Sequence, residues 1–296
     1  MNYGIEILRL IAVVLITFTH TRHNLDSGVL YYITENLPKF GTLALSVISG
    51  YLYWKTSKNK QSIFLKKVKT LAIPYLLANA IVTLLVLSAY YFFGYNFLNR
   101  LSFDYTIITE GLLALNSPPV NPPTYFIRDI FIIFTLIELV RNRNFYMLLI
   151  IVPYAVFGKL LLRYDILVLF LVGVLLAVSE GFIKKNRRCI LSFGAVLCAV
   201  FIYCSNIDIY RYPIAFFVFI LFLHLRITFF NAGGYSYLLH LYHSPVIVAT
   251  FPLLVMVITD PYMNIIATIT IALFFCYALY LLTRKYGKLK ILSGGR

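Results

Sequence analysis

The sequence predicts an all-α fold: a polytopic transmembrane helical bundle of about ten spans, with both termini cytoplasmic. Four observations carry that expectation. Apolar residues make up 61% of the 296-residue chain and charged residues only 12%, against roughly 25% in a soluble domain, so the chain has too few charges to cover a water-facing surface. The apolar residues fall into ten runs, most of them long enough for helices that cross a hydrocarbon core about 30 Å thick. Alternating segments of about ten residues, the mark of a membrane β-barrel, are absent. The basic residues, finally, gather in every second connection, as the positive-inside rule requires of a multi-pass protein.

The runs lie near residues 4–21, 38–54, 70–93, 123–140, 145–160, 165–183, 189–204, 212–227, 235–258 and 262–283. The first holds Arg9, follows no positively charged segment and has no A-x-A cleavage site, so it reads as a retained helix rather than a signal peptide. The connection after the second run, "KTSKNKQSIFLKKVK", carries six Lys. "RNRN" follows the fourth run, "KKNRR" the sixth, Arg226 the eighth, and "RKYGKLKILSGGR" the tenth. These connections hold 18 of the 26 basic residues. The opposite connections hold six, namely Arg22, Lys39, Arg100, Lys159, Arg163 and Arg211, while Arg9 and Arg128 fall within runs. The longest outer connection, Gly94 to Pro123, contains "NSPPVNPP", which cannot continue a helix because proline lacks a donor and restricts its predecessor. It reads equally as a substrate-contact lid and as a solvated connector. With no internal repeat and no soluble insertion, residues 1–296 form a single transmembrane domain.

Composition also narrows the function. The excess of Lys and Arg over Asp and Glu, 26 to 11, suits nucleic acid in a soluble protein. Here the charges follow the membrane topology, no phosphate-cradling loop or RNA-binding signature occurs, and nucleic acid is not an expected partner. Membrane lipids are. Cys189, Cys198, Cys204 and Cys276 form no CxxC pair and read as buried packing thiols. His240 and His243 form an HxxH pair, too few ligands for zinc, so no metal is expected; a helix-packing or cavity-lining role fits them better. His23 and His224 fall near interfaces. The aromatic content, 17%, fits interfacial belts and helix packing.

The first run, "IEILRLIAVVLITFTH", keeps three ionisable side chains. On an α-helix, Arg9 and His20 fall within roughly 20° of one another and about 16 Å apart along the axis. Glu6, three residues before Arg9, can pair with it, and Thr17 lies one turn before His20. One reading is a structural Glu6–Arg9 pair at the inner interface with His20 at the outer one. The other is a polar stripe lining a cavity, because ionisable groups within a membrane usually face protein or water. Arg can grip phosphate with its bidentate fork, and His can take a proton from a hydroxyl near neutral pH.

The same stretch resembles the first helix of the acyltransferase-3 family of integral membrane O-acyltransferases, whose signature is an Arg, ten residues and a His. Glu6 stands where that family usually has Asp. "ALSVISGYLYW", with Ser49, Gly50 and Tyr51, is similar to the second-helix motif. "FLKKVKTLAIPYL" resembles the basic lead into the third helix, including Pro74 and Tyr75, with Lys66 and Lys69 where two Arg are usual; Lys keeps the charge and loses the bidentate fork. "PPTYFIRDIFIIF" resembles the segment with Arg128 and Asp129, Tyr125 replacing the usual Trp. "YSYLLHLYHSPVI" resembles the late motif through Ser236, Tyr237 and His243, with His240 in place of the usual Tyr.

The resemblance covers nearly the whole chain and implies a function. Such enzymes move an acyl group, usually acetyl, from cytoplasmic acetyl-CoA or another acyl-CoA to a hydroxyl of a glycan or lipid-linked saccharide across the bacterial cytoplasmic membrane. A cytoplasmic mouth ringed by Arg9, Lys66, Lys67 and Lys69 would attract the anionic donor. His20 is the expected general base, Arg9 and Glu6 its partners along the stripe. Ser49, Tyr51 and Tyr237 are candidate oxyanion donors; Tyr125, Arg128 and His243 are candidate acceptor contacts. An acyl-His intermediate remains an alternative route. A transporter or flippase for a lipid-linked or small anionic substrate is the competing class, since intramembrane Arg, Glu and His can also line a translocation path, although no inverted repeat is visible.

Overall fold

In a computed structural model, residues 3–21, 28–60, 62–96, 98, 101–204, 207–225 and 227–295 are described. Arg22, His23, Arg100 and Arg226 lie outside the described residues. Every one of the ten apolar runs is helical: α1 (Tyr3–Phe18), α2 (Lys39–Thr56), α3 (Ile73–Phe93), α4 (Tyr125–Asn142), α5 (Leu148–Phe157), α6 (Tyr164–Val178), α7 (Arg187–Cys204), α8 (Ile207–Leu223), α9 (Gly233–Val257) and α10 (Pro261–Lys285). No strand occurs among the described residues. The short turn Phe64–Lys67 and the wide turn Val68–Ala72 run directly into α3, making one continuous helix, Phe64–Phe93.

Among the described residues, four helices are long and apolar enough to cross a membrane: Phe64–Phe93, α7, α9 and α10. The others fall short for two physical reasons. α1, α5, α6 and α8 have only 16, 10, 15 and 17 residues. α2 and α4, and α1 as well, carry polar groups that the interior uses, including Ser49, the Arg128–Asp129 pair and Arg9. Those three are the buried centre of the bundle, and the apolar outer faces belong to their neighbours, as with Phe193 on α7 and Phe274 on α10.

α2 is the hub, packed against α1, α6 and α8. Its approach to α6 depends on glycine at both sides of one crossing. A Cβ on Gly50 would stand 1.8 Å from the carbonyl oxygen of Phe170, and one on Gly173 2.1 Å from that of Val47. Gly41 meets α1 in the same way, 2.4 Å from the Ala12 carbonyl oxygen. Small residues at such crossings let helix backbones touch where lipid offers no hydrophobic drive for association.

α7 is peripheral and packs mainly on α8. Two of the four cysteines expected as buried thiols are therefore exposed. Cys189 and Cys204 lie near the two ends of α7, and only Cys198 and Cys276 are buried.

Between α3 and α4, residues 101–123 of the long connection expected on the outer side are docked against the bundle rather than a bare solvated link. The Glu110 carboxylate accepts from the backbone N–H groups of Asn116 (2.9 Å) and Ser117 (2.8 Å), from the Ser117 hydroxyl (3.0 Å) and from the Asn116 amide (3.1 Å). Partial burial pushes the Glu110 carboxyl upward, but these four donors outweigh it and hold it below the usual carboxylate value. Lys159 N–H donates to the Leu115 carbonyl (2.8 Å) and Tyr154 Oη to that of Leu113 (3.0 Å), which fastens the loop to the end of α5.

Gly50→Ala is expected to lower stability by about 1–3 kcal/mol or more, since the new methyl meets backbone rather than a movable side chain. Gly181→Ala, where nothing stands within 4 Å, should leave it unchanged. Thermal unfolding in detergent compares the two.

Candidate active site

α1 and α9 run side by side in the same direction, and their polar residues meet at two levels. At the first, Arg9 Nη1 donates to both oxygens of Glu6 (2.9 and 3.1 Å). A Cβ on Gly233, at the start of α9, would lie 3.0 Å from that same nitrogen, so glycine lets α9 begin against the ion pair. At the second level, about ten residues further along both helices, the rings of His20 and His243 lie 5.2 Å apart. His240, one turn before His243, is 6.5 Å from it, centre to centre, and packs edge-on against Phe126 at 5.7 Å.

A cavity of about 290 Å³ connects the two levels. α2 lines it with a helical stripe, Leu45, Ile48, Ser49, Leu52, Tyr53 and Thr56; α4 adds Phe126, Ile127, Ile130 and Phe134. Arg9 and Val13 come from α1, Ser236, Tyr237 and His240 from α9, and Lys67 and Leu71 from the basic segment before α3. The cavity thus runs from the lysine-rich end of the molecule, at Ser57 and Lys67, to His240.

This placement separates the residues expected to act together. Arg9, Ser49 and Tyr237 line the cavity. His20 does not; it stands behind His243. The shared face of Arg9 and His20 rests on an α-helix continuing to His20, whereas α1 stops at Phe18. Thr19, His20 and Thr21 follow with N–H bonds to residues three back (3.2, 3.3 and 3.3 Å). A three-residue turn advances roughly 20° more per residue than an α-helix, which swings His20 off the Arg9 face. Thr17 donates to the Val13 carbonyl (3.0 Å), satisfied within its own helix.

Lys66 and Lys69 are exposed and absent from the cavity wall; Lys67 takes the inward position. Its ammonium sits 3.7 Å from the centre of the Phe134 ring, a cation–π contact. The wide turn Val68–Ala72 sets this register, so that Lys67, Leu71 and Tyr75 share the inward face.

Tyr51 is directed away from the cavity. Its hydroxyl donates to Glu180 (3.0 Å), which also pairs with Lys55 and Lys184 (2.6 Å). The Ser49-Gly50-Tyr51 motif therefore divides three tasks: cavity wall, helix contact and end clamp.

Arg128 and Asp129 are sequence neighbours, so their side chains leave α4 about 100° apart. The long Arg side chain folds back instead, and its Nη1 donates to Asp129 (2.7 Å) and to the Leu160 carbonyl (2.8 Å), its Nη2 to the Lys159 carbonyl (2.5 Å). Asp129 accepts from the backbone N–H groups of Leu162 (3.1 Å) and Arg163 (2.9 Å). Together the pair clasps the α5–α6 connection, and Arg128 is 3% exposed. Tyr125 accepts from Arg163 Nη1 (3.0 Å), and Arg163 pairs with Asp165.

Sequence reasoning missed the residues that hold α9. Pro245 has no N–H, so the Leu241 carbonyl, one turn earlier and flanked by His240 and His243, has no donor in its own helix. Asn121, from the outer connection, reaches in and donates to it at 2.7 Å. Asn121 N–H in turn donates to Asn79 Oδ1 on α3 (3.1 Å), and Asn79 donates to Thr124 Oγ1 (3.0 Å). The signal was present as a proline inside an apolar run and an Asn beside "PP", but nothing local links the two.

The comparisons agree with this architecture. A family model described as an acyltransferase domain, acyltransferase-3, matches residues 2–281, and the chain belongs to that family of membrane acyltransferases. No curated protein and no solved structure gives a match.

Asn121→Ala should cost about 1–3 kcal/mol, the usual penalty of an unsatisfied buried polar group. Pro245→Ala restores an N–H for the Leu241 carbonyl and should recover part of that loss in the double variant. A double-mutant cycle on unfolding free energies reads the coupling.

Proposed function

We propose that this acyltransferase moves an acyl group, acetyl by preference, from cytoplasmic acyl-CoA to a hydroxyl of an extracytoplasmic or lipid-linked glycan. In this reading all ten helices cross the bacterial cytoplasmic membrane, the lysine-rich ends face the cytoplasm, and the histidine level lies toward the outside. The observation that carries the reading is the cavity that begins at Lys67 and ends at His240, beside His243 and His20.

The donor fits that geometry by chemistry. Its phosphates suit the basic rim, where Lys66 and Lys69 are exposed and Lys67 turns inward. A cavity of about 290 Å³ suits a slender acyl-thioester arm rather than a whole nucleotide. The apolar side chains that α2 and α4 place on its wall limit the water that would hydrolyse the thioester. His20 takes the proton of the acceptor hydroxyl, the oxygen attacks the thioester carbonyl, and the thiolate departs. Tyr237 and Ser49 on the cavity wall are the candidate donors to the developing oxyanion. Arg9 shares its charge with Glu6 and acts as a fixed dipole beside the arm.

Purified protein in detergent, given acetyl-CoA with and without a glycan acceptor, should release free thiol in proportion to acceptor acylation. Transport of a substrate without thiol release would favour the translocation reading instead. His20→Ala should lower kcat by roughly 10²–10⁴-fold, the usual worth of a general base, while the protein still elutes as a folded species. Lys67→Ala should raise KM for acetyl-CoA by about tenfold, the worth of one charge-assisted contact, and Lys66→Ala by less.

Topology has its own test in the native thiols. An impermeant maleimide should label Cys189 from the cytoplasmic side only and Cys204 from the opposite side only. The reverse pattern would invert the orientation.

A further inference from the structure

At the end of α4 opposite the Arg128 clasp, the hairpin into α5 carries a second cavity, of about 860 Å³. Arg143, Asn144 and Tyr146 line it at the hairpin, and Leu149, Val152 and Pro153 line it along α5. We infer that this groove binds an anionic phospholipid, its phosphate on Arg143 and its acyl chains along the apolar face of α5. Such a site goes beyond the acyl-transfer chemistry and requires only that the bundle sits in a bilayer.

Charge is the first support. Arg141 and Arg143 are exposed, and neither forms an ion pair among the described residues. Glu138, one turn before Arg141, spends its oxygens on the Ile63 N–H (3.1 Å) and the Asn142 amide (2.9 Å). The planar fork of an arginine suits a phosphodiester, and basic pockets at a membrane surface hold anionic headgroups in this way. The backbone is the second support. Arg143 closes α4 in the left-handed region, at φ +49°, where glycine or asparagine is usual. An arginine kept in that strained conformation points to a use for its side chain, and the turn sets it on the cavity wall.

The apolar track is the third. Phe145 and Tyr146 are 70% and 79% exposed, an aromatic pair of the kind that sits at headgroup level. Beyond them, α5 buries Met147 and Ile151, while Leu149, Val152 and Val156 follow one another at helical spacing on its exposed face. α5 packs mainly on α4, which leaves that face to lipid. Cation, aromatic shoulder and apolar track stand in the order of phosphate, ester and acyl chain in a phospholipid. The volume lies within the roughly 300–1,000 Å³ of small-molecule sites. A soluble anion would use only the cationic end. A second copy of this chain, docked about a two-fold axis, would bring the arginines of both copies into one interface.

The full-length protein, stripped of lipid in detergent, is offered equal amounts of dioleoyl phosphatidylglycerol and dioleoyl phosphatidylethanolamine, and retained lipid is counted by native mass spectrometry. The wild type should keep phosphatidylglycerol in severalfold preference. Arg143→Gly should lower that preference roughly fivefold, the worth of one basic residue near an anionic headgroup. Glycine suits the left-handed backbone, so the unfolding temperature of this variant should stay level or rise. Arg143→Lys should retain part of the preference. Val152→Trp, which fills the groove and leaves the charge in place, should also lower retention, and it serves if Arg143→Gly does not fold. Glycerophosphoglycerol, the headgroup without acyl chains, should not displace the lipid. Equal retention of the two lipids by the wild type, or an unchanged preference in Arg143→Gly, would overturn the site. Displacement by glycerophosphoglycerol would overturn the lipid as occupant in favour of a soluble anion, and a lipid-free dimer broken by Val152→Trp would overturn it in favour of a second copy.

Discussion

One carbonyl ties the site to the rest of the molecule. Away from water, a backbone polar group must find its partner within the protein, and Pro245 denies the Leu241 carbonyl its ordinary one. Asn121 supplies the donor at 2.7 Å from a connection 120 residues away in sequence. That single bond sets the depth to which the outer connection inserts, and the Asn79–Thr124 contacts carry the constraint to α3. The two histidines of α9 stand on either side of the anchored carbonyl. Helix, loop and imidazoles are therefore positioned by one need.

The remaining polar interior follows the same logic. Arg128 and Asp129 spend their hydrogen bonds on the backbone of residues 159–163. Glu138, 3% exposed, accepts from the Ile63 N–H (3.1 Å) and the Asn142 amide (2.9 Å), fastening the start of the basic segment to α4. Glu180 gathers Tyr51, Lys55 and Lys184 at the lysine-rich end. Each cluster joins a helix end to a connection, and none of them occupies the cavity. The cavity wall itself mixes apolar side chains of α2 and α4 with hydroxyls, and Arg9, Lys67 and His240 are the basic groups on it.

Much of this was legible in the chain, and the limits are specific. The ten helices were readable because hydropathy is a local property, and the cue at Gly50 lay within a motif although its contact partner did not. Glu6 and Arg9 were readable as a pair because three residues on a helix bring side chains together. The shared face of Arg9 and His20 was not, because it presumes a helix that ends two residues too soon. Lys66 and Lys69 matched a motif by spacing, yet the wide turn gives the inward position to Lys67. Tyr51 stood in a motif beside Ser49, but Glu180 lies 129 residues further along the chain and claims its hydroxyl. Arg128 matched a motif as an acceptor contact, yet its flexible side chain folds onto Asp129 and the Leu160 carbonyl instead.

The sequence by itself determined an apolar, helical chain, the gathering of its basic residues in alternate connections and the presence of Arg, Lys and His in otherwise apolar runs. These depend on residues close together in sequence, where helical period and side-chain chemistry are enough. The tertiary structure alone decided that His20 meets His243 rather than the cavity, that His240 closes the cavity, and that Asn121 completes α9. Those contacts join elements more than a hundred residues apart. Their geometry is settled by which helices can approach closely and by which buried polar groups would otherwise go unsatisfied, and neither condition is a property of any local stretch of the chain.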